Sequence, residues 1–104
     1  MDNEVLRDER FVVKFSKPIK FEDKEYKELD LSALEDVSCD ELLAAEKMYT
    51  RAGGTSVTPE TTLLYSVLLA SIVTNTPIEF FGVLRGKESM KIKKVCNYFF
   101  LKPE

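Results

Sequence analysis

"FVVKFSKPIKFEDKEYKELDL", residues 11–31, separates a mixed fold from an all-helical one. Phe11, Val13 and Phe15 fall on one side of an extended chain and Val12 and Lys14 on the other, the period-two pattern of a strand with one apolar face. Lys17-Pro18 interrupts the run, and a residue without an N–H belongs at a sheet edge or a strand start. Ile19 and Phe21 resume the alternation as far as Glu22-Asp23-Lys24, where Asp23 suits a turn, and Tyr26, Leu29 and Leu31 line the return. The stretch predicts a β-hairpin or small three-strand meander over about residues 10–31. A hairpin alone is marginal in water, so the rest of the chain must cover its apolar face.

Downstream the periodicity is helical. Ser38 and Glu41 stand at the spacing of a capping box, predicting a helix from Cys39 to about Ala52 with Leu42, Ala45, Tyr49 and Ala52 on one stripe and Leu43 and Met48 beside it. Gly53-Gly54 stops it. Thr58-Pro59-Glu60 reads as the start of a second helix, in which Leu63, Leu64, Val67, Leu68, Leu69, Ile72 and Val73 occupy nearly the whole circumference, as in a central buried element. Thr76-Pro77-Ile78-Glu79 repeats the start signal for a short helix carrying Phe80, Phe81 and Leu84 and ending near Gly86. Ile92, Val95, Cys96, Phe99 and Phe100 then follow at the spacing of one face of a fourth helix. The expectation is an α+β fold in a single domain over 1–104, with a loose arm over 1–9, a hairpin region over 10–31 and about four α-helices within 38–101.

The length suits one core, and 44% apolar with 32% charged residues is enough to fold it and keep it wetted. Residues 1–50 carry 8 Lys+Arg against 14 Asp+Glu, and residues 51–104 carry 7 against 4, so the halves differ from −6 to +3. That asymmetry can orient a partner but is too weak to specify nucleic acid or membrane. The longest apolar run, 63–73, is broken by Tyr65, Ser66 and Ser71 and is too short for a bilayer of about 20 residues.

Chemistry has little to stand on. The chain has no histidine, which removes His-containing zinc sites and the Ser-His-Asp and Cys-His arrangements. Cys39 and Cys96 are far apart in sequence and read as buried, reduced packing thiols in a cytosolic compartment. The adjacent acids Glu22/Asp23 and Glu35/Asp36 read as solvated loop residues, since facing carboxylates are what acid–base pairs need. Gly53-Gly54 lacks the GK[ST] continuation of a phosphate loop. No catalytic, cofactor or metal site is expected.

The remaining signal is basic and apolar. Lys87, Lys91, Lys93, Lys94 and Lys102 gather late in the chain, and Lys91 and Lys94 share a helix face with Tyr98 and Leu101. That stripe can simply be a wetted outer face, or contact phosphate and stack on a base, or dock a protein. Phe80-Phe81 places two aromatics on a helix too short to bury both easily. The candidate partner-binding set is therefore Lys91, Lys94, Tyr98, Leu101, Phe80 and Phe81. Reversing the charge of Lys91 and Lys94 together is expected to weaken capture without unfolding.

The order of features, "FSKPIKFEDKEYKELDL" at 15–31, the acidic "ALEDVSCDELLAAE", an apolar helix and "TPIEFFGVL" followed by "VCNYFF", resembles the small tail assembly chaperones of Mu-like and related contractile-tailed phages or prophages. Lys17, Pro18, Tyr26, Leu29 and Leu31 match the family's usual beginning, with Glu22-Asp23-Lys24 where a glycine turn is common, and Glu88 stands where an acid often separates the last two helices. The resemblance covers about Phe11 to Leu101 through loose motifs. It implies a non-catalytic protein of the bacterial host cytoplasm, outside the mature virion, that binds the tape measure protein, keeps it soluble and assists tail tube protein to assemble. It also implies that a frameshifted, extended form can exist. Self-association is left open. The alternative is a small nucleic-acid-binding or regulatory protein of a mobile element, or else a structural tail subunit.

Overall fold

The computed structural model describes residues 7–101. Strands β1 (Val12–Phe21) and β2 (Lys24–Asp30) form an antiparallel hairpin. Four helices follow: α1 (Cys39–Arg51), α2 (Leu63–Thr74), α3 (Ile78–Gly82) and α4 (Gly86–Leu101). The fold is α+β, with a two-stranded sheet and no third strand among the described residues.

The hairpin turn is two residues long, and both Glu22 (φ 50°) and Asp23 (φ 66°) adopt positive φ. Left-handed conformation at both positions matches the right-handed twist of the strands, although neither residue is the glycine or asparagine that takes it most readily. Register runs Phe21↔Lys24 to Ile19↔Tyr26, then resumes at Lys14↔Glu28, so residues 15–18 bulge against Lys27 alone. This irregularity accommodates Pro18. It also explains why Tyr26 and Leu29, three apart, both turn inward: the inward set changes phase on β2 while Val13, Phe15, Ile19 and Phe21 keep theirs on β1.

Ser38 caps α1 reciprocally with Glu41, the serine oxygen accepting from Glu41 N at 3.1 Å and the Glu41 carboxylate from Ser38 N at 2.9 Å. The helix ends through Gly53 (φ 95°), and the Gly54 amide donates back to Tyr49 O at 2.9 Å. A Cβ on Gly54 would run into the Tyr49 ring, whose hydroxyl accepts from Ser56 N at 2.8 Å. The second helix begins later than expected. Pro59–Thr61 is a separate 3-10 turn, and Thr62 is the residue that caps α2, its hydroxyl accepting from Tyr65 N at 3.1 Å. Asn75 ends α2 in the left-handed conformation. Gly86 opens α4 instead of closing α3, which stops at Gly82 where the Val83 amide turns onto the Phe80 and Phe81 carbonyls.

Helix α2 packs against α1, α3 and α4, and α4 also lies along β1. Tyr65 ties three helices together, with ring centroids 6.2 Å from Tyr49 on α1 and 6.1 Å from Phe100 on α4, and its hydroxyl donates to Leu42 O at 3.3 Å. On the sheet side Phe80 is the hub, its ring 4.8 Å from Tyr26, 5.6 Å from Phe21 and 6.3 Å from Phe15. Burying that cluster helps hold the hairpin on the helices.

Four expectations are corrected. Phe80 and Phe81 are both buried: the aromatic face of the hairpin receives Phe80, and Phe81 lies with Leu64, Val67 and Leu68 of α2. Cys39 is exposed at the first position of α1, and only Cys96 is a packing thiol. Helix α2 is not covered all round: Leu63 remains 38% exposed, with Leu64, Val67, Ile72 and Val73 only partly covered. Residues 7–9 are not a loose arm, since Arg7 forks onto the Glu28 carboxylate and Asp8 N donates to Ser32 Oγ at 2.7 Å. Residues 1–6 of that expected arm lie outside the described residues, as does Lys102.

Candidate functional site

The spacing that buries Ile92 and Cys96 on the inner side of α4 necessarily leaves Lys87, Met90, Lys91, Lys94, Tyr98 and Leu101 on the outer side. Three apolar members of that stripe are uncovered, Met90 at 51%, Tyr98 at 41% and Leu101 at 73% exposure. The Tyr98 ring leans on the buried Phe11 at a centroid distance of 5.8 Å, and its hydroxyl accepts from Arg10 Nη1 at 3.2 Å. Arg10 is positioned by the 3-10 turn Glu9–Phe11, whose cap Asp8 also takes the guanidinium at 2.8 Å. The Asp8 hydrogen bonds hold that guanidinium still more firmly protonated than usual. Between Arg10, Lys94, Val95 and Tyr98 lies an open depression of about 380 Å³.

Lys91 belongs to a different arrangement. Phe11 O accepts from Leu31 N at 2.8 Å, so Phe11 and Val13 turn their backbone groups toward β2, and Lys14 O and Ser16 N are left for partners at the other edge of β1. Helix α4 caps that edge with one side chain of each sign. Ser16 N donates to Glu88 Oε2 at 2.9 Å, and Lys91 Nζ donates to Lys14 O at 2.8 Å. Glu88 Oε1 sits 3.0 Å from Lys91 Nζ, an ion-pair contact without the alignment of a good hydrogen bond.

Glu88 is 1% exposed, sealed by a thin cover at the margin of the fold. Burial pushes its carboxyl up, but the Lys91 ammonium and the Ser16 N–H outweigh it and hold the group below the usual carboxylate range. Lys91 is thus a bridging residue, and the expectation that it can be reversed harmlessly with Lys94 is withdrawn.

Of the six residues read from the sequence, the structure brings Lys94, Tyr98 and Leu101 onto one free face, sets Lys91 at its margin in the clamp, and places Phe80 and Phe81 in the core. Arg10 and Met90 escaped the sequence reading, and Val95 was read there only as part of the packed face of the fourth helix. Met90 was readable, because 90, 94, 98 and 101 share one helical stripe, whereas Arg10 arrives through tertiary packing.

No family model, curated protein or solved structure matches this chain.

Elsewhere the chemistry is sparse. Among the described residues no group of three or more Cys, Asp or Glu side chains could hold a metal ion, and no helix is long and apolar enough to cross a membrane. Glu22/Asp23 are exposed in the hairpin turn and Glu35/Asp36 are exposed at the end of the 3-10 helix Ser32–Asp36. Burial pushes the Cys96 thiol up to about 12, opposite to the shift that activates a nucleophilic cysteine. A second depression of about 530 Å³ opens between α2 and α3, lined by Ala52, Leu63, Leu64, Val67, Ile78 and Phe81 among others.

Proposed function

We propose that this protein is a non-catalytic tail assembly chaperone of a phage or prophage that acts in the host cytoplasm by binding the tape measure protein. The observation that carries the reading is the outer face of α4, where Met90, Tyr98 and Leu101 stay exposed beside Lys94 on a domain whose other aromatics are largely committed to packing. The resemblance in the order of features supplies the identity of the partner.

The physical case is that of a helix binder. A tape measure protein presents long amphipathic helices whose apolar stripes aggregate until the tail tube encloses them. A shallow face with apolar contacts and a cationic rim accepts such stripes with modest sequence demands. Weak individual contacts suffice, because many copies along one elongated partner act together.

Co-expression with the tape measure product of the same genomic neighbourhood tests the reading. A soluble complex that co-purifies supports it. An insoluble tape measure beside folded, uncomplexed chaperone refutes it, and salt-sensitive retardation of DNA by the same protein would establish the nucleic-acid alternative instead.

A further inference from the structure

We infer that the outer face of α4 is a docking site for an acidic amphipathic helix supplied by another protein, with one apolar side chain of that helix seated in the depression between Arg10, Lys94, Val95 and Tyr98. The inference deepens the proposed function and rests on it for the biological partner, but the site is argued from charge and shape.

Helix α4 carries four lysines and a single acid, Glu88. Glu88 is sealed and its charge is matched by Lys91. Lys87, Lys93 and Lys94 therefore have no carboxylate within ion-pair distance among the described residues. The imbalance is local, because the whole chain is acidic at −3. Lys87 and Lys94 stand on the same stripe as Met90, Tyr98 and Leu101, so cationic and apolar positions share one exposed face. A complementary helix bears an apolar stripe flanked by Asp or Glu, which pairs with the lysine rim and opposes like-charged competitors.

Nucleic acid fits the same face less well. Two of the three exposed apolar side chains, Met90 and Leu101, are aliphatic and give bases nothing to stack on. Arg10, the one guanidinium at the depression, is already held by Asp8 and Tyr98.

The test uses the full chain and a fluorescent synthetic helix of about 18 residues, long enough to be helical in water, with leucines on one stripe and glutamates beside it. A second peptide keeps the leucines and replaces each glutamate by lysine, and a duplex DNA serves as the third probe. The acidic peptide is expected to bind saturably and the basic one not. The K87E/K94E variant, which replaces neither residue of the Glu88–Lys91 clamp, should bind the acidic peptide about tenfold more weakly and gain affinity for the basic one.

Equal binding of both peptides, no binding by folded protein, or an unchanged K87E/K94E variant would overturn the site. Preference for DNA would assign the face to nucleic acid. Self-association lost in K87E/K94E, with no peptide binding, would assign it to a second copy. Peptide binding without tape measure capture would sink only the proposed function. Capture that is unaffected by K87E/K94E would sink only this inference.

Discussion

The backbone N–H of Ser16 donates to Glu88 Oε2 at 2.9 Å, joining residues 72 apart in the chain. With the Lys91 ammonium on the Lys14 carbonyl, this contact blocks the edge of β1 that a second strand would otherwise find, and it ties the hairpin to the last helix. The clamp therefore serves as both fastening and edge protection.

Glu88→Gln should lower stability at neutral pH by about 1–2 kcal/mol, because the buried amide loses the charge that Lys91 and Ser16 N–H favour. The carboxyl is held below its ordinary range in the folded protein. Its contribution is therefore fully present above the unfolded pKa and is lost as pH falls through the folded one. Urea midpoints for wild type and Glu88→Gln should diverge at pH 7 and converge well below about pH 4.3. A gap that does not narrow with acidification would show that the charge of Glu88 is not what matters.

The Glu22–Asp23 turn gives a stabilising change. Both residues sit at positive φ, which asparagine and glycine adopt with less strain. Glu22→Asn with Asp23→Gly should raise stability by about 1 kcal/mol, seen as a higher urea midpoint with an unchanged slope. A fall in midpoint would mean that the Glu22 or Asp23 side chain makes a contact that outweighs the backbone strain.

How far the sequence was readable follows from the range of each interaction. Alternation at Val13 and Phe15 and the Ser38/Glu41 box are local signals, and both correspond to the observed elements, while Phe11, read with the strand, closes the 3-10 turn before it. The phase change between Tyr26 and Leu29 is not local: it follows from a bulge on the opposite strand. Likewise Phe80 looked surplus to a short helix read as ending near Gly86, until the hairpin supplied its ring partners. At the candidate site, helical spacing picks out the shared stripe of Lys94, Tyr98 and Leu101, while the bond from Lys91 to Lys14 O was not legible because the two residues lie 77 apart.

The two cysteines should differ sharply toward a thiol reagent. Cys39 is exposed, whereas Cys96 is fully buried with its Sγ 3.7 Å from Ser66 O, and burial pushes its pKa up to about 12. In the native protein one thiol should react quickly and the other only at the rate of unfolding, so denaturant should release the second. Two equally fast thiols would mean that α4 opens readily from α2.

Lys91 and Lys94 stand one turn apart on α4 and should part company on reversal. Lys91→Glu sets a second carboxylate beside sealed Glu88 and removes the donor to Lys14 O. Breaking a fully buried pair costs about 3–5 kcal/mol, but the Lys91 side chain is 39% exposed, so about 2 kcal/mol is expected here. Lys94→Glu touches no such partner among the described residues and should stay within about 0.5 kcal/mol of wild type. Acidic-peptide binding should show the other half of the contrast: Lys94→Glu weakens it while the domain stays intact, whereas any loss in Lys91→Glu should track the unfolded fraction. Urea unfolding and peptide titration on the same samples separate the two effects. Equal stability of the variants would remove the clamp from the account of the fold, and equal binding loss at matched folded fraction would return Lys91 to the docking face.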